Sequence, residues 1–369
     1  MSAATSRRAG TRVRLSHHVI RLDDGHQVGV SVGGRGVPLV FLHGLGLSRR
    51  AYLRMLSRVA GLGFLVVAVD TAGHGDTHDL PCDAGELSDR TDLVIRTLDA
   101  LGIDRAVFAG HSMGGRMTIH LAATAPDRVI AAILFDAAAG SSFDAAVAAA
   151  VHSPRQIWRA VSGALTDLYR DPFWMQIASA SRYLRLLTAV AMGRLLPPTG
   201  LTGAARAILQ SGECTPLLQV MRERRIPTMV VHGDADAIVP FESACDVADD
   251  ANATLYRVRD ACHSWLIANP RQAADSMRRL LEGALGDVLR QSGGELGIND
   301  WRDVEAWDRA LVAPDARVRK LNADNNLLGI DVREQVDMEL VRRAERPSAS
   351  RRNVAAVGEL LRPRDARTA

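Results

Sequence analysis

The 369-residue chain is 47% hydrophobic, enough to bury a full core, which excludes disorder of the whole and leaves room for one large domain with an insertion or appended tail. Its 45 basic and 42 acidic residues leave a net charge of only +3, so charge does not argue for a nucleic-acid partner. Cys82, Cys214, Cys245 and Cys262 are far apart with no CxxC spacing, which excludes a disulfide framework or structural zinc as the organising device and makes a reducing cytoplasm the default location. Nearly all the basic residues are arginine, Lys320 being the single lysine, which fits a GC-rich, bacterial genome.

Along the chain, Arg7, Arg8, Arg12 and Arg14 form a basic start, residues 1–18, with no apolar stretch of signal-peptide length behind it. Val19–Leu22 and Val28–Val32 read as strands joined by an Asp23-Asp24-Gly25 turn. Pro38–Leu42, Leu65–Val69, Ala106–Ala109 and Ile130–Phe135 are continuously apolar, and helical stretches (Ser48–Ala60, Glu86–Leu101, Met113–Ala125) separate them. Continuous rather than alternating runs belong to strands covered on both faces, so residues 19–139 predict the first part of an α/β core with a mostly parallel sheet between helices. Residues 140–222 read as a helical lid inserted into that core, with Trp158, Tyr169, Phe173, Trp174, Met175 and Tyr183 scattered through it.

The β/α rhythm resumes over 223–292 with strands at Thr228–His232 and Thr254–Val258 and helices near Glu242–Asp249 and Arg271–Leu289. An extension, 293–369, follows the Gly293-Gly294 pair, which reads as a hinge. Asp300–Leu311 and Val332–Ala344 are its expected helices. Trp301, Trp307, Leu311, Leu321, Leu327, Leu328 and Ile330 imply that the extension docks, whereas the arginine-rich stretch from Arg342 onward is expected to be dispensable. No apolar segment is long enough for a membrane span.

Gly110-His111-Ser112-Met113-Gly114 fits G-x-S-x-G between an apolar strand and a helical run. Small residues are required there because a sharp strand-to-helix turn leaves no room for a Cβ beside the serine, and the turn sets the hydroxyl at the positive end of a helix. Upstream, His43-Gly44-Leu45-Gly46 ends a strand in a glycine loop, so the amides of Leu45 and Met113 are the candidate oxyanion donors. Downstream, Gly233-Asp234-Ala235-Asp236 follows one strand and His263 the next. Nucleophile, acid and base thus fall in chain order at the carboxyl ends of strands, where open α/β sheets bind ligands.

In these segments the chain resembles the α/β-hydrolase superfamily, and is similar to its esterase, C–C-bond hydrolase and cofactor-free haloperoxidase branches. HGLG (43–46), DTAGHGDT (70–77), GHSMGG (110–115), GDADAIVP (233–240) and ACHSW (261–265) carry the resemblance over roughly residues 19–290. It implies Ser112 as nucleophile, His263 as base and Asp236 as acid, since the family's acid sits three residues after the glycine and three before a Val-Pro pair, here Val239-Pro240. Asp234 is the alternative acid. A serine at the elbow argues against the dehalogenase and epoxide-hydrolase branches, and His111 stands where C–C hydrolases commonly carry asparagine.

The implied activity is hydrolysis of an ester, thioester or lactone through an acyl-enzyme, without cofactor or metal, by a monomer or homodimer with no nucleic-acid partner. The rival enzymatic readings are C–C hydrolysis and haloperoxidase-like chemistry; outside enzymes, the rival is a ligand-binding or scaffold protein on the same fold. The blander readings are Ser112 as a helix N-cap, Asp234 and Asp236 as turn carboxylates, and His263 as a satisfied histidine. His43, His74, His111 and His232 fall near strand ends without metal-ligand spacing and read as loop-bracing hydrogen-bond partners.

Overall fold

A computed structural model describes residues 9–80, 86–151, 203–204, 207–208, 210–322 and 327–345. Its centre is a nine-stranded sheet of β2 (Ser16–Arg21), β3 (Gln27–Gly33), β4 (Val37–Leu42), β5 (Phe64–Val69), β6 (Ala106–His111), β7 (Val129–Phe135), β8 (Thr228–Gly233), β9 (Thr254–Val258) and β11 (Met338–Arg342). Their spatial order is β11-β9-β8-β7-β6-β4-β5-β3-β2. From β5 to β9 every pairing is parallel, whereas β2, β3 and β11 pair antiparallel at the two edges. A separate ribbon joins β1 (Ala9–Val13) to β10 (Leu327–Val332).

The uniformly apolar runs behave as the sequence predicts: all six residues of β4, β5, β6 and β8 are buried. Their side chains alternate between two cores. Val40, Leu42, Val67, Phe108, Leu134 and Val230 meet the helices Leu87–Leu101 and Met113–Thr124 on one face. Phe41, Val66, Val107, Ile133, Phe135 and Val231 meet Leu53–Ala60, Pro270–Glu282 and Ala284–Glu295 on the other. The expected single helix over Arg271–Leu289 is two, broken at Gly283.

The extension departs most from expectation. Gly293 and Gly294 are no hinge, because they lie inside the helix Ala284–Glu295, where Gly293 gives close passage to Trp307: a Cβ there would sit 3.2 Å from the indole. Val304–Leu311 is helical within the expected span, but Val332–Ala344 is not a helix. Met338, Glu339 and Leu340 pair with Val258, Arg257 and Tyr256, so the unpaired edge of β9 recruits this segment as a ninth strand. The sheet therefore does not end before Gly293, as the sequence reading had it. Trp307, Leu311, Val336 and Met338 join the second core, and Val312 and Val318 the first. Leu327, Leu328 and Ile330, expected to dock, stay exposed on β10.

Of the expected lid, the helices Ser141–Val151 and Thr215–Glu223 mark the two ends, while Trp158, Tyr169, Phe173, Trp174, Met175 and Tyr183 lie outside the described residues. Among the described residues no helix is long and apolar enough to cross a membrane.

Candidate active site

Ser112 sits between β6 and the helix Met113–Thr124 with φ 54° and ψ −116°, a conformation that L-residues avoid and that marks sites where geometry is held against strain. What holds it is backbone. The Ser112 amide donates to Phe135 O at 3.0 Å, and the Ser112 carbonyl accepts from the amides of Gly115, Arg116 and Ala138 at 2.9, 3.2 and 3.1 Å. A Cβ on Gly110 would lie 2.1 Å from Gly114 O, and one on Gly114 2.2 Å from Leu42 O, so the turn closes only with glycine at both places. Ser112 occupies the N-cap position, yet its side chain makes no capping hydrogen bond, which removes the bland reading of this serine. The amide of Met113, first in the helix, has no intrahelical acceptor by construction and points out of the helix's positive end.

The loops after β8 and β9 supply the polar partners. His263 Nδ1–H donates to Asp236 Oδ2 at 2.7 Å, and Asp236 Oδ1 accepts from the amides of Ile238 and Val239, each at 2.8 Å. Burial opposes a charge on Asp236, but His263, His232 and the Val239 amide outweigh it and hold its pKa below the ordinary carboxylate value. An ionised Asp236 fixes the tautomer of His263 that leaves Nε2 unprotonated. Asp234, the alternative acid, instead accepts the Asp260 amide at 2.8 Å and closes the turn between the two loops.

The histidines at the strand ends are braces, as expected. His111, immediately before Ser112, donates from Nε2 to the carbonyl of His263 at 2.8 Å, and its Nδ1 accepts from the Tyr52 hydroxyl at 2.7 Å. That hydroxyl in turn accepts the Gly44 amide at 3.3 Å. One buried chain thus ties the glycine loop, the elbow and the His263 loop together. On the far side of the glycine loop, His74 Nε2 accepts the Gly46 amide at 3.2 Å and His43 Nε2 accepts the Thr71 amide at 3.0 Å. Burial pushes His43 down to about 4, and His74 and His111 to about 3, so all three stay neutral hydrogen-bonding groups near pH 7.

Sequence reasoning missed several residues that hold this site. Arg49, fully buried, pairs with Asp70 behind the glycine loop and reaches Ser31 Oγ and Asp76 Oδ2 at 2.8 Å each. Arg116 pairs with Asp144, in the helix Ser141–Val151, at 2.7 Å. Asp136, one residue past β7, belongs to none of the motifs that the sequence displays. Asp136, His232 and Asp236 bring one ligand-capable atom each within 4.8 Å of one another, but these atoms face amides, the Trp265 indole, His263 and, for His232 Nε2, the Val239 carbonyl.

A mostly parallel sheet with a strained serine elbow after β6 and an Asp–His pair on the loops after β8 and β9 defines a class, and the comparisons agree with it. The model of the alpha/beta hydrolase fold family matches residues 37–270, and the chain belongs to that family. A protein of Mycobacterium phage D29 named as a non-heme haloperoxidase is 40% identical over 267 residues, covering 71% of this chain and 93% of the relative. A non-heme chloroperoxidase of Kitasatospora aureofaciens is 28% identical over 60% of this chain and 82% of its own length. In fold, the chain is similar to a thermophilic esterase from Thermogutta terrifontis, with TM-score 0.57 and 22% identity over 73% of this chain and 98% of that one.

Proposed function

We propose that the protein is a serine hydrolase acting on a carboxylic ester, thioester or lactone. The observation that carries this reading is the 2.7 Å His263–Asp236 bond, set in a loop that His111 links to the strained Ser112 elbow. His263 Nε2 takes the Ser112 proton as Oγ attacks the carbonyl, and the Leu45 and Met113 amides receive the oxyanion. Collapse of the tetrahedral species expels the alcohol, thiol or ring oxygen, which takes the proton back from His263. Water activated by the same imidazole then releases the acid and frees Ser112. The test is fluorophosphonate labelling together with a panel of p-nitrophenyl esters of rising chain length. Labelling that survives S112A would sink the assignment.

The kinship with a haloperoxidase-named protein favours one second reading. Hydrogen peroxide could replace water in deacylation, turning the acyl-enzyme into a peracid that oxidises halide. Peroxide-dependent halogenation that requires a carboxylic acid and is lost in S112A would select it. The C–C hydrolase reading has less support, since His111 is committed to Tyr52 and to the His263 carbonyl.

A further inference from the structure

Asp136 is wholly buried directly after β7, in the left-handed region at φ 43°, which aspartate tolerates better than most residues. Its amide continues the ladder to Val231 O at 3.1 Å. Its carboxylate reaches two separate loops: Oδ1 accepts the Gly233 amide at 2.8 Å, and Oδ2 accepts the Trp265 indole Nε1–H at 2.7 Å. Gly233 lies three residues before Asp236, and Trp265 two residues after His263. Both contacted residues are buried, and Trp265 is further wedged edge-on against Phe135. Burial and the Asp236 charge both push the Asp136 pKa up, so this carboxyl resides there at an electrostatic cost that an apolar side chain would avoid. An apolar replacement would, however, strand two buried N–H donors.

We propose that Asp136 is a positioning residue that clasps the Asp236 loop to the His263 loop and so sets the geometry of their hydrogen bond. This rests on the serine-hydrolase reading above. Among the described residues, the groups that interact electrostatically with His263 are Asp136 from the end of β7, His111 from β6, and His232 and Asp236 from β8 and its loop, with Glu242 acting in turn on His232. Loosening the pair weakens the imidazolium's partner, so the ascending limb of the pH profile moves to lower pH. W265F removes the indole donor while leaving every one of these charges in place, which separates clasping from the loss of a nearby carboxylate.

The experiment measures melting temperature, fluorophosphonate labelling rate and p-nitrophenyl butyrate hydrolysis across pH 5.5–9 for wild type, D136N, W265F and the double variant. Folded W265F and D136N should lose about 10- to 100-fold in kcat and labelling rate with KM little changed, as small misplacements of reacting groups do. Both ascending limbs should shift downward, and the double variant should be no slower than D136N alone. W265F with wild-type rate and an unshifted limb overturns the clasp even if D136N fails to fold. Wild-type labelling that persists in S112A instead overturns the serine-hydrolase reading, and this inference with it.

Discussion

The surroundings of Ser112 and the extension beyond Glu295 are both packed onto one sheet, but by different means. Around Ser112, Arg49, Asp70, His43, His111, His232 and Asp136 are all at most 1% exposed, and most of their polar atoms meet a specific donor or acceptor. The extension is fastened by a few large plugs, Trp307, Leu311, Val318 and Met338. Between them run partly exposed ion pairs such as Arg271–Asp331 and Arg259–Glu339, a kind worth little individually. One region is built on direction and the other on volume. Errors of direction should therefore cost chemistry more than stability, and errors of volume stability more than chemistry.

The strongest break of that comparison is S112A, expected to abolish fluorophosphonate labelling and lower turnover by several orders of magnitude without moving the melting temperature much. H263A should be nearly as severe, and the double variant no worse, because the two side chains act as a unit. Next comes D236N, with a loss of about 10⁴-fold in kcat against a small effect for D234N; the reverse ranking in steady-state assays would move the acid to Asp234. On the side of volume, W307A removes a fully buried indole and should cost about 3–5 kcal/mol in denaturant unfolding while labelling at Ser112 persists below the melting point.

Two smaller effects sharpen the contrast. Y52F deletes the hydroxyl linking Gly44 to His111 and should slow labelling about 10-fold, the scale of one lost buried hydrogen bond. Stability should also fall on mild acidification, for a reason confined to the region of direction. His43, His74 and His111 titrate near 6.5 when unfolded but only at about 3–4 when folded, so between those values the unfolded chain binds more protons. Each imidazole then withdraws on the order of 1–2 kcal/mol by pH 5. A melting temperature that is flat from pH 7.5 to 5 would contradict their burial as neutral groups.

The sequence made the parallel strands and the Ser112, Asp236 and His263 positions legible because these depend on local signals: unbroken apolar runs and glycines where a turn admits no Cβ. Asp236 was separable from Asp234 only by its spacing to Val239-Pro240; in the structure it is Asp236 that bonds His263, while Asp234 accepts the Asp260 amide. Tyr52, Arg49 and Asp136 were illegible because a buried polar side chain is defined by distant partners, here His111, Asp70 and Trp265, which lie 59, 21 and 129 residues away and which no local pattern encodes. The ninth strand was misread for a related reason. Met338–Arg342 has little strand character of its own and takes its conformation from the edge of β9.

That ninth strand, with the ribbon joining β1 to β10, also bears on how the protein is made. Residues 9–13 leave the ribosome early but must wait for residues 327–332 before they have a partner, and the edge of β9 stays open until residue 342 has emerged. The 79 residues between Val258 and Met338 separate β9 from β11. At translation rates of about 5–20 residues per second, that edge stays uncovered for several seconds. An unpaired strand flank in a nascent chain is a template for intermolecular pairing. Glu339 and Arg342 put charges on the closing strand, a feature that discourages the finished edge from recruiting another molecule.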